Sequence, residues 1–131
     1  MPYDNPMTCC YNFPLMDFGA TAGDTLHYIT GPAGKQGRLK SISVAATEVF
    51  ACSTKAANVK VGTAADPDAY GQLNVADGTA DNAAFNEGDD TDAIISAAIA
   101  ADTAVMITLD EGTDASAVTG QGHPTVIIDW Y

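Results

Sequence analysis

Positive charge is what this sequence has least of. Five Lys and Arg stand against 17 Asp and Glu, a formal net charge of −12 over 131 residues. The five are Lys35, Arg38, Lys40, Lys55 and Lys60, so the chain from Val61 to Tyr131 contains neither Lys nor Arg. Neutralising a phosphate backbone needs clustered cations, which disfavours direct nucleic-acid binding. An acidic surface suits a well-solvated protein or one that docks on a basic partner.

Cysteine is also scarce. Cys9, Cys10 and Cys52 make an odd count, the adjacent pair cannot easily bridge, and no C-x-x-C spacing exists for zinc. Free thiols in a reducing compartment are the expectation. No stretch is apolar for long enough to span a membrane. The longest, "AIISAAIAADTAVMITL", is interrupted by Ser96, Asp102 and Thr103. The opening "MPYDNPMTCCYNF" has neither the basic start nor the apolar run of a secretory leader. A protein made and kept inside a cell is expected, unless it leaves as part of something larger.

Catalytic signatures are missing too. There is no G-x-S-x-G elbow, and "GPAGKQG" lacks the G-K-[ST] ending of a phosphate loop. The two histidines, His27 and His123, fall in a strand pattern and in a Gly-Pro turn, and structural roles are expected for both. Aromatics are 8% of the chain, with one Trp, which offers few platforms for stacking sugars. "NEGDDTDA" (86–93) groups Glu87, Asp89, Asp90 and Asp92, oxygens that a calcium ion would accept, but without the spacing of an EF-hand loop. A solvated acidic loop is the expectation there, with a cation site as the alternative. No catalytic residue, metal ligand or cofactor is assigned, and an enzyme is not expected.

What remains is a strand pattern. The chain fits one domain, typically about 100–150 residues. At 47% hydrophobic it can bury a real core. "DTLHYIT" (24–30), "RLKSISVAAT" (38–47), "NVKVGT" (58–63), "AVMITLD" (104–110) and "TVIIDWY" (125–131) read as strands. In the second, Ile42, Val44 and Ala46 share a face while Leu39 is out of phase, the mark of a bulge. Asn58 and Lys60 are expected outward of Val59 and Val61, and Thr108 opposite Val105, Ile107 and Leu109. "EVFACS" (48–53) either continues the sheet or begins another strand. "DAIISAAIAAD" (92–102) fits a strand or a helix, and its alanines favour helix. The terminal strand, rich in Ile, Val and Trp, should be central or covered, because exposed it would aggregate.

The prediction is therefore an all-β, single-domain β-sandwich or jelly roll with at most one or two short helical turns. Residues 1–17 form an extended arm and 18–131 the body. Pro2, Pro6 and Pro14 exclude a regular helix in the arm, while Tyr3, Met7, Tyr11, Phe13 and Leu15 make it too apolar for a free tail. These five are the candidate partner contacts. Deleting the arm is expected to weaken partner binding more than it unfolds the body.

"VKVGTAADPDAYGQL" (59–73) raises the question of a carboxylate site at Asp66 and Asp68. A structural account covers both. Asp66 can cap a helical turn, Pro67 suits its first position and Asp68 meets the positive end of the helix dipole. That turn would carry Tyr70 and Leu73 to the core, making Asp66, Pro67, Asp68 and Tyr70 a structural corner.

A strand ending in V-G-T, the D-P-D-A-Y turn, a late A-x-V-x-I-T strand and a T-G-x-G turn into V-x-I-D-W-Y together resemble a known family. Over residues 37–131 the chain is similar to the decoration, or cement, proteins of tailed-bacteriophage capsids. The resemblance implies a virion protein on the capsid exterior, assembled in the bacterial cytoplasm, that clamps neighbouring major-capsid subunits. It also implies a homo-oligomer, dimer or trimer, at lattice symmetry axes. Alternatives are another head–tail or tail virion component, or a non-viral calcium- or carbohydrate-binding β-sandwich module.

Overall fold

In the computed structural model, residues 7–18, 25–51, 57–75, 84–86, 88, 90, 93–95, 98–110 and 119–131 are described. They build ten strands: β1 (Met7–Asn12), β2 (Met16–Asp17), β3 (Thr25–Ile29), β4 (Gly37–Ala46), β5 (Asn58–Gly62), β6 (Gly71–Asn74), β7 (Ala84–Asn86), β8 (Ala98–Ile99), β9 (Val105–Asp110) and β10 (Gln121–Trp130). The strands form two antiparallel sheets, an all-β sandwich, and the described residues contain no helix. One sheet runs β1-β10-β4-β7, with β2 also pairing β10 and β8 pairing β4; the other runs β3-β9-β5-β6.

The alternation of "TVIIDWY" explains the place of β10. Val126, Ile128 and Trp130 are buried, and the strand lies between β1 and β4 with both sets of backbone groups paired. The facing sheet supplies Ile29, Val59, Val61, Leu73, Val105, Ile107 and Leu109. Phe18 and Phe50 close one end, their ring centroids 5.3 Å apart. Trp130 closes the other.

The bulge is where the phase of β4 demanded it. Ile127 pairs with Ser41 and Ile128 with Leu39, so Lys40 is the extra residue. The insertion lets Leu39 and Ile42 both turn inward, each buried, although three positions separate them.

Several expectations are corrected. The segment 66–69 is a β-turn, not a helical turn. The amide of Ala69 donates to the carbonyl of Asp66 (3.2 Å) with Pro67 at the second position, and the next strand starts at Gly71. Val61 already pairs with Gly71, and the seven residues between Gly62 and Tyr70 are used up by the turns that close on the Asp66 carbonyl, which leaves too little chain for a helix. In 92–102 the described residues are an isolated bridge from Ile94 to Gly71, the short β8 and a turn at Ala101–Asp102. Alanine content loses there to sheet pairing. In 48–53, the described Ala51 makes a single bridge to Thr119, while Cys52 and Ser53 lie outside the described residues. Asn58 is buried rather than outward, and β9 is buried on both faces.

That last point has a consequence for Thr108. It is 4% exposed and its hydroxyl has no hydrogen-bond partner. A buried, unsatisfied hydroxyl costs about 1–3 kcal/mol, and valine replaces it at similar size. Thr108→Val is therefore expected to raise stability by about 1 kcal/mol in urea unfolding. A destabilised variant would mean that a water satisfies the hydroxyl.

Candidate functional site

The arm is a strand. The six residues Met7–Asn12 pair in register with Trp130–Thr125, and Phe13 extends the match by donating its amide to the carbonyl of Pro124 (2.9 Å). Strand alternation separates the adjacent cysteines: Cys9 faces inward, half-buried, while Cys10 is exposed, and both are free thiols. Tyr11 and Phe13 share the inward phase and pack on the core. The Tyr11 hydroxyl accepts a hydrogen bond from Nε1 of Trp130 (3.1 Å). Burial raises the Tyr11 phenol above its ordinary value, the Trp130 hydrogen bond opposing that shift.

Both histidines meet the arm at Phe13. The His27 ring lies 4.9 Å from the Phe13 ring, and Nδ1 of His123 lies 3.4 Å from the Phe13 carbonyl oxygen. Of the five arm residues named from sequence, Tyr11 and Phe13 are thus engaged with their own body. Met7 and Leu15 remain about half exposed, and Tyr3 lies outside the described residues.

The same contacts order the edges. β1 ends one sheet and β3 ends the other. Phe13 on His27 joins them at one end, and Gly31, just beyond β3, lies against Trp130 at the other. β1 and β3 therefore flank one open side of the sandwich. On β3, Leu26 is 49% and Tyr28 64% exposed, both pointing away from the core. In "TLHYI" every residue but Thr25 is apolar or aromatic, so the sequence alone gave no sign of which set faces solvent.

Residues 7–16 and 25–34 contain no Asp, Glu, Lys or Arg. On a chain of −12, these two described segments form an uncharged strip carrying the exposed Met7, Leu15, Leu26 and Tyr28. Edge strands bearing apolar side chains are suited to pairing or packing with another chain.

The acidic corner is different. Asp66, Pro67 and Asp68 are exposed at the tip of the β5–β6 hairpin, while Tyr70 returns to the core, 7% exposed. The side chain of Asp68, hydrogen-bonded to Asp66, is the main cause that raises the Asp66 carboxyl above its usual range. A raised carboxyl favours the folded state while protonated, and that benefit is lost as pH rises through its folded value. Asp68→Asn is accordingly expected to raise Tm at neutral pH. The gain should shrink as pH falls and the Asp66 carboxyl, raised above its usual range, takes up its proton. Equal melting curves at pH 7 would show that the two carboxylates do not couple.

In 86–93, Asp90 is a strut. Its Oδ2 accepts from the backbone amide of Asn74 (2.9 Å) and from the Asn74 side chain (3.3 Å). Glu87, Asp89 and Asp92 lie outside the described residues. Among the described residues no cluster of three His, Cys, Asp or Glu could hold a metal, and no helix is long and apolar enough to cross a membrane.

Comparison with protein-family models, curated proteins and solved structures returns no match.

Proposed function

We propose that this chain is a structural binding protein of the capsid-decoration kind, docking on a protein shell through the side flanked by β1 and β3. The carrying observation is the uncharged strip with Met7, Leu15, Leu26 and Tyr28 exposed, on a chain otherwise rich in carboxylates. Burying that strip removes apolar surface from water without stranding charge, which is what a protein interface core needs. The acidic remainder keeps the outer surface solvated and repels copies that approach elsewhere. The motifs of residues 37–131 support the phage reading specifically, with the major capsid protein as partner and a homo-oligomer on the lattice.

The test is rebinding. Purified protein added to capsids stripped of it is expected to bind at hundreds of copies per particle, as a lattice protein must, and to raise their melting temperature. Binding of a handful of copies would favour a head–tail or tail component. No binding to shells, with saturable calcium or glycan binding in calorimetry, would favour a non-viral module. Point changes are better probes than arm deletion, because removing β1 would uncover β10 and Trp130. Tyr28→Ser with Leu26→Ser should weaken shell binding while leaving the melting curve of the free protein nearly unchanged.

A further inference from the structure

Opposite in character to the uncharged strip is a recess of ≈ 410 Å³ beside β4, lined by Arg38, Leu39, Lys40, Ile94, Ile95 and Asp129. We infer that this recess binds a short acidic peptide segment. A carboxylate would meet Arg38 and Lys40, and a neighbouring aliphatic side chain would lie on Ile94 and Ile95.

The bulge makes the site. With Leu39 turned inward, Arg38 and Lys40 both stand exposed on the same side, two positions apart. They are two of only five Lys and Arg in the chain. Neither forms an ion pair or a side-chain hydrogen bond with the other described residues. Asp129 sits directly across from Arg38, with one of its oxygens held by the hydroxyl of Thr8, so the described lining carries two cations against one carboxylate. The wall is apolar. Ile94 packs on the core while Ile95 is 48% exposed, held in place by the hydrogen bond its backbone amide donates to the Tyr70 carbonyl (2.9 Å).

A guanidinium meets a carboxylate in a planar, two-point hydrogen bond, and it can meet a phosphate in the same way, so the apolar wall decides between them. Two cations beside aliphatic side chains suit a peptide carrying an acid next to a hydrophobe better than a polyphosphate. The inference does not depend on a capsid as partner, since the apolar wall of the recess is joined to β6, the edge of the second sheet opposite β3.

The probe is an acetylated, amidated hexapeptide alternating leucine and glutamate, titrated into the full chain and followed by amide NMR shifts. Saturable shifts centred on Arg38, Lys40, Ile94 and Ile95 are expected. Arg38→Gln with Lys40→Gln should weaken binding at least about tenfold, as should replacing the peptide's glutamates by glutamine. Should that variant fail to fold, the native chain still decides: binding should weaken several-fold between about 20 and about 300 mM salt. Absent shifts, equal binding of the glutamine peptide, indifference to salt, or inorganic phosphate binding as tightly as the peptide would each overturn the inference.

Discussion

Trp130→Ala is expected to cost about 3–5 kcal/mol, a large part of the roughly 5–15 kcal/mol that holds a domain of this size folded. Trp130 is 2% exposed and is the largest fully buried side chain among the described residues. Its ring fills the space beside Gly31 and Gly37, where a methyl group would come within 2.6 Å of it. Its Nε1 donates to Tyr11, and its backbone pairs with Met7 on one side and Gly37 on the other. One side chain thus ties the arm, the terminal strand and the turn after β3. Trp130→Phe keeps much of the volume but removes the donor, and is expected to cost less. Tyr11→Phe with Trp130→Phe completes a double-mutant cycle that isolates the hydrogen bond, about 0.5–1.5 kcal/mol. Urea unfolding measures all of these. A loss below about 1 kcal/mol for Trp130→Ala would mean that the arm and the body are not joined through this ring.

The strands that could be read from the sequence are those with one polar and one apolar face. β10 and β4 alternate, and even the bulge at Lys40 followed from the phase of Leu39 against Ile42. Where both faces are apolar or both are buried, the pattern falls silent. β3 presents Leu26 and Tyr28 outward and His27 and Ile29 inward, a choice set by β9 and by Phe13, neither of them local. β9 buries Met106 and Thr108 as well as its inner face. The arm was legible as extended and apolar, but its partner was not. Pairing with β10 lies more than a hundred residues away in sequence, beyond any local signal. Of the candidate contacts, Met7 and Leu15 are exposed while Tyr11 and Phe13 follow strand alternation into the core. Nothing local to Arg38 and Lys40 marks a site, because the recess beside them is completed by Ile94 and Ile95 from a distant segment.

The V-G-T…D-P-D-A-Y stretch is where sequence and structure differ most usefully, and Gly62→Ala tests the difference. The loop after β5 folds back over Gly62. The Asp66 carbonyl accepts from the amides of Thr63 (2.8 Å) and Ala69 (3.2 Å), Asp66 donates to the Thr63 hydroxyl (3.1 Å), and Tyr70 donates to Val61 (2.9 Å). A methyl group at position 62 would lie 2.2 Å from the Asp66 oxygen and 2.5 Å from the Pro67 carbonyl. These are backbone atoms, so relief requires opening the turn. Gly62→Ala is therefore expected to reach the upper end of the about 1–3 kcal/mol typical of overpacking, with faster amide exchange at Thr63 and Tyr70. Gly34 is the control. Its φ of 73° strains any L-residue, yet a methyl group there meets nothing within 4 Å, so Gly34→Ala should cost only about 1–2 kcal/mol. Gly62 has no positive φ, so its penalty comes from contact alone. If the two variants lose equal stability, or if exchange at Tyr70 is unchanged, the loop does not close on Gly62. If the order holds, the motif that first suggested a carboxylate site is a steric lock on the hairpin.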